Sequence, residues 1–189
     1  IEVADNLIPF VDDKSNFISE LIPMLRESLE AELGIDFPGI RVRPASMQEL
    51  PDSHYALLLN EVPVSIGLAS PEQCMVAAAT HDIRAIGITD IVPTKHPCTK
   101  LPATLTSIAH KKILRDAGYA VWDAPSRILL HLSAVLRKNA KDFITIHETQ
   151  MMLDRLENQF PALVKEVVPK TVSLFQLTDI LKRLLSEEI

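Results

Sequence analysis

Apolar residues recur at three- and four-residue steps from Ile18 through Leu21, Ile22, Leu25 and Leu29 to Leu33, which predicts an amphipathic helix over 19–33. Gly34 follows it, where a left-handed cap is wanted. Pro23 lies inside the pattern and removes a backbone donor, so the helix is expected to start near Ile22 or to kink there. Ahead of it, alternation from Ile1 to Val11 predicts a strand with an extended continuation, broken by Asp12, Asp13 and Lys14. Further strands are predicted at Ile40 to Arg43, at His54 to Leu59 and, after a turn at Asn60 and Glu61, at Val62 to Ile66. The continuous apolar run from Gln73 to Ala79 suits a strand covered on both faces, and Arg84 to Thr89 alternates as a strand would.

Pro93, Pro97 and Pro102 then punctuate a stretch expected to be irregular. Thr104 to Ala117 is predicted helical, closed by Gly118, and Tyr119 to Trp122 a short strand. Pro125 opens a helix that runs to about Asn139. Two capping boxes follow. Thr145 with Glu148 precedes Met151, Met152 and Leu156, and Ser173 with Gln176 precedes Leu177, Ile180, Leu181 and Leu184. Between them Pro161 starts a short helix that Pro169 ends. This order is α+β followed by a helical module, without internal repeats.

Charge sharpens the division. The chain carries −6 overall, but residues 1–70 hold 4 Lys/Arg against 12 Asp/Glu, residues 71–123 hold 6 against 5, and residues 124–189 hold 9 against 8. An acidic first third argues against nucleic acid as the ligand, because phosphate binding needs a basic face. With 47% hydrophobic residues and two cysteines, Cys74 and Cys98, the chain is neither disordered nor a disulfide scaffold. Its apolar runs, such as Cys74 to Ala79, fall far short of the roughly 18 residues of a membrane span. A start at Ile1 and an end inside a predicted helix suggest a piece of a longer protein.

The residues offer little catalytic chemistry. His96 and Cys98 are two apart with no second pair at a zinc spacing, and Met151 stands where a zincin helix begun at His147-Glu148 needs its second histidine. No metal site and no cofactor are therefore expected. Cys98 beside His96 and Lys95 could be an activated thiol, but no orienting third group accompanies it. Five glycines leave no phosphate-cradling loop. His131 lies on the apolar face of its helix and is read as a satisfied, partly buried histidine. A thiol- or metal-dependent enzyme using Cys98 and His96, or a small-molecule sensor domain, stands as the alternative to a binding module.

Three stretches resemble the export-gate family of type III secretion, with its flagellar FlhA and injectisome SctV branches. Ile1-Glu2-Val3 with Leu7-Ile8-Pro9-Phe10-Val11-Asp12 is similar to its opening motif. Leu101-Pro102-Ala103 resembles its L-P-A segment. His131-Leu132, Gln150 to Leu153, Val167-Val168-Pro169 and Leu181 to Glu188 resemble its last run, in the right order.

The resemblance implies a subdomain 1 over 1–70, an inserted α/β subdomain 2 over 71–123, a return helix over 124–138 and the start of a helical subdomain 3 over 139–189. It implies the cytoplasmic side of a bacterial inner-membrane protein, joined to the membrane by a transmembrane region outside this chain. The implied role is a docking platform without enzymatic turnover. Chaperone–substrate complexes, gatekeepers and the ATPase stalk are its implied partners, in a ring of nine copies. The family's docking site maps onto Lys95, His96, Cys98, Thr99 and Lys100, which are polar to basic where flagellar members are acidic and aromatic, and onto Leu130, which stands where the family often has threonine. That difference and the L-P-A wording favour an injectisome.

Overall fold

A computed structural model describes residues 1–12, 15–45 and 50–187. It divides into two compact units, one of residues 1–25 and 39–135, the other of residues 26–38 and 136–189. The fold is α+β, with two four-stranded sheets in the first unit.

The first sheet has the order β2-β1-β3-β4, from β1 (Glu2–Val3), β2 (Arg43–Pro44), β3 (His54–Leu59) and β4 (Val62–Leu68). β1 runs parallel to β2 and antiparallel to β3, and β3 and β4 form a hairpin. Asn60 and Glu61 both take left-handed backbone conformations, as a two-residue hairpin turn requires, although neither is glycine. Strand alternation sorts the two faces. Val3, Tyr55 and Gly67 share one, and Glu2, Ala56 and Ile66 the other. On the latter, Arg43 lies between the carboxylates of Glu2 and Glu61. Gly67 is required where it stands, because a Cβ there would come within 2.2 Å of the Tyr55 ring.

The second sheet, of order β6-β7-β5-β8, is built from β5 (Gln73–Val76), β6 (Val92–Lys95), β7 (Pro102–Ser107) and β8 (Val121–Trp122). Its two faces bury different sets. Cys74, Val76 and Val121 pack with Ile83 of α3 (Thr80–Ala85) and Leu114 of α4 (Lys111–Asp116). Met75, Ala103 and Leu105 pack with Trp122 and with Leu130 of α5 (Ala124–Lys138). β5 is thus covered on both faces, as its apolar run predicts.

The second unit is helical. It includes the later part of α2 (Ile22–Leu33), then α6 (Ile146–Gln159), α7 (Pro161–Val167) and α8 (Leu174–Ser186). Gly34 closes α2 at φ +69° and donates to the Glu30 carbonyl. Both predicted capping boxes form. The Glu148 carboxylate accepts from the Thr145 N–H, and Ser173 and Gln176 exchange bonds of 3.0 and 3.2 Å. Phe37 and Phe143 meet edge to face at 5.1 Å, and the buried hydroxyls of Thr149 and Thr178 join at 3.0 Å. Phe175, Ile180 and Leu184 leave part of the α8 stripe exposed.

Several predicted elements are corrected. After β1 the chain does not continue extended but turns through a 3₁₀ turn, Asp5–Leu7, into the short helix α1 (Ile8–Val11). Pro9 favours this change, because its fixed φ suits a first helical turn. A π turn, Phe17–Leu21, runs directly into α2 at Ile22, whose N–H donates to the Phe17 carbonyl, so Pro23 stands where the helix passes from π to α geometry, an irregularity that accommodates its missing donor. Residues 84–89 form no strand: Ile83 is fully buried on α3, and Gly87 at φ +88° ends that element.

Residues 104–107 belong to β7, not to a helix. Thr104 and Thr106 are buried there, and the Thr104 hydroxyl donates to the Ala78 carbonyl at 2.8 Å. β-Branched residues at alternate positions suit a strand once the neighbours satisfy their hydroxyls. The stretch around Pro93 is not irregular either. Pro93 lies on the sheet's edge strand and Pro102 begins β7, two of the places where a sheet tolerates proline. Asp13 and Lys14, expected to break the first strand, and Glu188, which ends the last matched run, lie outside the described residues.

Gly67→Ala is expected to push the Tyr55 ring off its seat and to destabilise the chain by about 1–3 kcal/mol, the usual cost of overpacking. Thermal melting of the variant checks this. Unchanged melting would show that the ring relaxes freely.

Candidate functional site

β6 and β7 form a hairpin whose last strand pair is Lys95 with Pro102. The His96 N–H donates to the Leu101 carbonyl at 2.9 Å, and the Lys100 N–H to the His96 carbonyl at 3.0 Å. The tip is therefore the four residues from Pro97 to Lys100. Lys100 closes it in a left-handed conformation, φ +61°, which is uncommon for a residue with a Cβ.

The imidazole of His96 organises this tip from inside. Its Nδ1 accepts from the backbone N–H groups of Cys98 and Thr99, both at 3.3 Å. Nδ1 is thus unprotonated and the neutral ring carries its proton on Nε2. The ring stands edge to face against Trp122, with centroids 5.0 Å apart. Burial, and then the charge of Lys100, hold the His96 pKa below the ordinary histidine value. The Cys98 thiol donates to the Leu130 carbonyl of α5 at 3.2 Å, so the tip is anchored on that helix.

Of the six residues singled out in the sequence, the hairpin brings together Lys95, His96, Cys98, Thr99 and Lys100, and the thiol contact adds Leu130. They divide by exposure. Lys95, Thr99 and Lys100 face solvent, whereas His96, Cys98 and Leu130 are half-buried and hold the tip in place. Leu101 beside them is also exposed. The thiol proton points at a carbonyl and the imidazole lone pair at backbone N–H groups, an arrangement that orders a turn rather than activates a nucleophile. Among the described residues, no three His, Cys, Asp or Glu side chains are placed to hold a metal ion.

The sequence reading missed Trp122 as the support of His96, and it missed the partners of His131. His131 is half-buried on α5, with Nδ1 2.9 Å from the Tyr55 hydroxyl and Nε2 2.9 Å from the Ser65 hydroxyl. The signal for a satisfied histidine lay in its apolar helix face. The partners lay 76 and 66 residues away and carried no local signal. Burial first, and Lys100 second, lower the His131 pKa. One turn earlier on the same helix, buried Arg127 donates through Nη2 to the Leu68 carbonyl at 2.6 Å. Its Nη1 finds no hydrogen-bond partner among the described residues.

All 189 residues match the FHIPEP family. The chain belongs to this family, the export-gate family of type III secretion. It is 30% identical over 172 residues to low calcium response locus protein D of Yersinia pestis, covering 91% of this chain and 24% of that protein. It is 29% identical over 192 residues to the flagellar biosynthesis protein FlhA of Yersinia enterocolitica, covering 100% of this chain and 27% of that protein.

Among solved structures, the Chlamydia pneumoniae CdsV and CdsO protein complex gives a TM-score of 0.89 at 31% identity, covering 100% of this chain and 54% of that one. The nonameric EscV cytosolic domain from the type III secretion system gives 0.65 at 25% identity, covering 93% and 50%. The chain thus spans about a quarter of the length of these curated relatives and about half of these structures. No helix among its described residues is long and apolar enough to cross a membrane.

Both histidines stay neutral in the folded chain to lower pH than in an unfolded one, whose histidines titrate near about 6.5. On acidification the unfolded chain binds these protons first. Stability present above about pH 6.5 is therefore lost as pH falls through the unfolded and then the lowered folded values. Melting between pH 7.5 and 5 is expected to show this loss, and His96→Gln to remove part of the slope. An identical slope in the variant would mean that His96 does not contribute.

Proposed function

We propose that this chain is the cytosolic docking part of a type III secretion export gate, receiving chaperone–substrate complexes at the β6–β7 hairpin tip. One observation carries the reading: an anchored tip presents Lys95, Thr99, Lys100 and Leu101 to solvent. Because His96 and the Cys98–Leu130 contact already order it, the tip gives up little conformational freedom on binding. Exposed lysines at 95 and 100, with exposed Leu101 next to the latter, suit a partner face that carries carboxylates, and attraction of that kind is screened by salt.

The same reading makes the chain a platform with no turnover of its own. Gatekeepers and the ATPase stalk are further partners, the latter suggested by the CdsV–CdsO complex of the Chlamydia relative. Nine copies in a ring is the assembly suggested by the EscV structure. The subdomain boundaries at 70, 123 and 138, and the attachment of a membrane-embedded region on the cytoplasmic side of a bacterial inner membrane, belong to this proposal too.

Lys95→Glu with Lys100→Glu is expected to weaken binding of a cognate chaperone–substrate complex at least tenfold, and added salt to weaken the wild type towards the same level. Melting should move little, since changes at exposed charges stay within about 0.5 kcal/mol. Calorimetric titration beside a melting curve checks both. Unchanged affinity sinks the hairpin tip as docking site, and a collapsed melting curve shows that the lysines are structural.

A further inference from the structure

β4 is the free edge of the first sheet, and it is apolar on its outer side. Ile66 and Leu68 share that side and are exposed, Ile66 by 64%, as is Val64 at the bulge just before them, whereas Val62, exposed too, pairs with Leu59 beyond the bulge and falls on the other face. Their neighbours Ser65 and Gly67 point the other way, to His131 and under the Tyr55 ring. An exposed edge strand bearing a row of aliphatic side chains is a template for pairing, which proteins usually blunt with charge or proline. Pro63 blunts only one end. It pairs with Leu58 just beyond the bulge at Val64, which leaves Ser65–Leu68 regular.

The hydrogen-bond phase of the hairpin fixes which backbone groups are on offer. The Ala69 N–H donates to the Ser53 carbonyl, so the bonded pairs continue as Tyr55 with Gly67 and Leu57 with Ser65. Ile66 and Leu68, on the alternate phase, direct their N–H and C=O groups to the free edge. Arg127 takes the Leu68 carbonyl. Among the described residues, the Leu68 N–H and both backbone groups of Ile66 have no partner on that side.

Charge says what kind of partner. No lysine or arginine occurs between Pro44 and Ile83, while Asp52, Glu61 and Glu72 stand exposed near the two ends of β4. Arg43, the cation just before this stretch, is shared by two carboxylates, Glu2 and Glu61. The stripe is apolar and its surroundings are anionic.

We propose that the free edge of β4 is a strand-addition site for an extended protein segment that carries alternating aliphatic side chains and lysine or arginine at its ends. The segment adds a fifth strand beside Ser65–Leu68. Its backbone bonds to Ile66 and Leu68 supply affinity, its aliphatic side chains cover the stripe, and its basic ends meet Asp52, Glu61 and Glu72.

The test uses a fluorescein-labelled peptide of alternating valine and threonine with two lysines at each end, titrated by anisotropy against this chain and against the longest natural polypeptide containing it. Binding should weaken at least tenfold when the lysines are replaced by glutamate, and at least tenfold when alternate backbone amides are N-methylated. Val64→Thr with Ile66→Thr, which keeps strand-forming residues, should weaken it at least fivefold. Lys95→Glu with Lys100→Glu should leave it unchanged, which separates this edge from the hairpin tip. Hydrogen exchange at the Ile66 and Leu68 amides should slow on binding.

Equal binding of the lysine- and glutamate-ended peptides overturns the proposal, and so does absence of binding. Exchange that slows with protein concentration alone would assign the edge to a second copy and overturn it. An edge already protected in the longer polypeptide would assign it to the protein's own chain, with the same result.

Discussion

The first unit depends on one close approach, the Tyr55 ring laid across Gly67. Only a residue without a Cβ leaves room for it. With the ring there, its hydroxyl reaches Nδ1 of His131, and the Ser65 hydroxyl on the neighbouring strand reaches Nε2. A half-buried imidazole loses its water, and an unmet ring nitrogen would leave that desolvation uncompensated. Two hydroxyls from two strands meet both nitrogens and thereby fix the rotation of α5 against the first sheet. Burial also pushes the Tyr55 phenol well above its ordinary pKa, so the group stays a neutral donor or acceptor.

Once α5 is fixed in rotation, the candidate site follows. Leu130 precedes His131 by one residue, about 100° around the helix, and packs with Met75, Ala103 and Leu105 of the second sheet. Its carbonyl receives the Cys98 thiol at the hairpin tip. The helix is therefore held to the first sheet by a polar contact and to the second by an apolar one. Arg127 adds a third tie through the Leu68 carbonyl, at the expense of a buried cation with one unmet nitrogen.

What was legible in the sequence was what local physics decides. The capping boxes at Thr145 and Ser173, the glycine after Leu33 and the β3–β4 hairpin all rest on spacings of a few residues, and they form as expected. The doubly covered strand at Gln73 could be read because an unbroken apolar run has few other uses. Errors arose where a distant partner decides. Thr104 and Thr106 are strand residues because a sheet accepts them between β5 and β6, and the Ala78 carbonyl that satisfies Thr104 is 26 residues away. Prolines at 93 and 102 suggested an irregular loop, since sequence alone does not say which strand is an edge. That Lys95, His96, Cys98, Thr99, Lys100 and Leu130 lie close together could be read from the chain, but not their division into Lys95, Thr99 and Lys100 facing out and His96, Cys98 and Leu130 holding from within.

The two sheets manage their edges differently, and that difference bears on what each can bind. The edge strand β6 carries Pro93 in its middle and Lys95 at its end, two devices that discourage pairing along the edge. In the proposed reading, recognition at the second sheet is accordingly left to side chains at a hairpin tip. β4 keeps a regular run from Ser65 to Leu68, with Ile66 and Leu68 exposed on its outer face and without a basic residue nearby in sequence. Recognition there would run through backbone groups, which read extended conformation more than side-chain identity. The opposite charge of the two places adds selectivity: a segment basic enough for the surroundings of β4 is repelled by Lys95 and Lys100, and an acidic face suited to those lysines is repelled by Glu61 and Asp52. Like-charge juxtaposition is costly enough to suppress wrong pairings even where the apolar contacts are similar. With both proposed sites in place, one compact unit would hold two kinds of protein surface apart by charge, without a conformational change to choose between them.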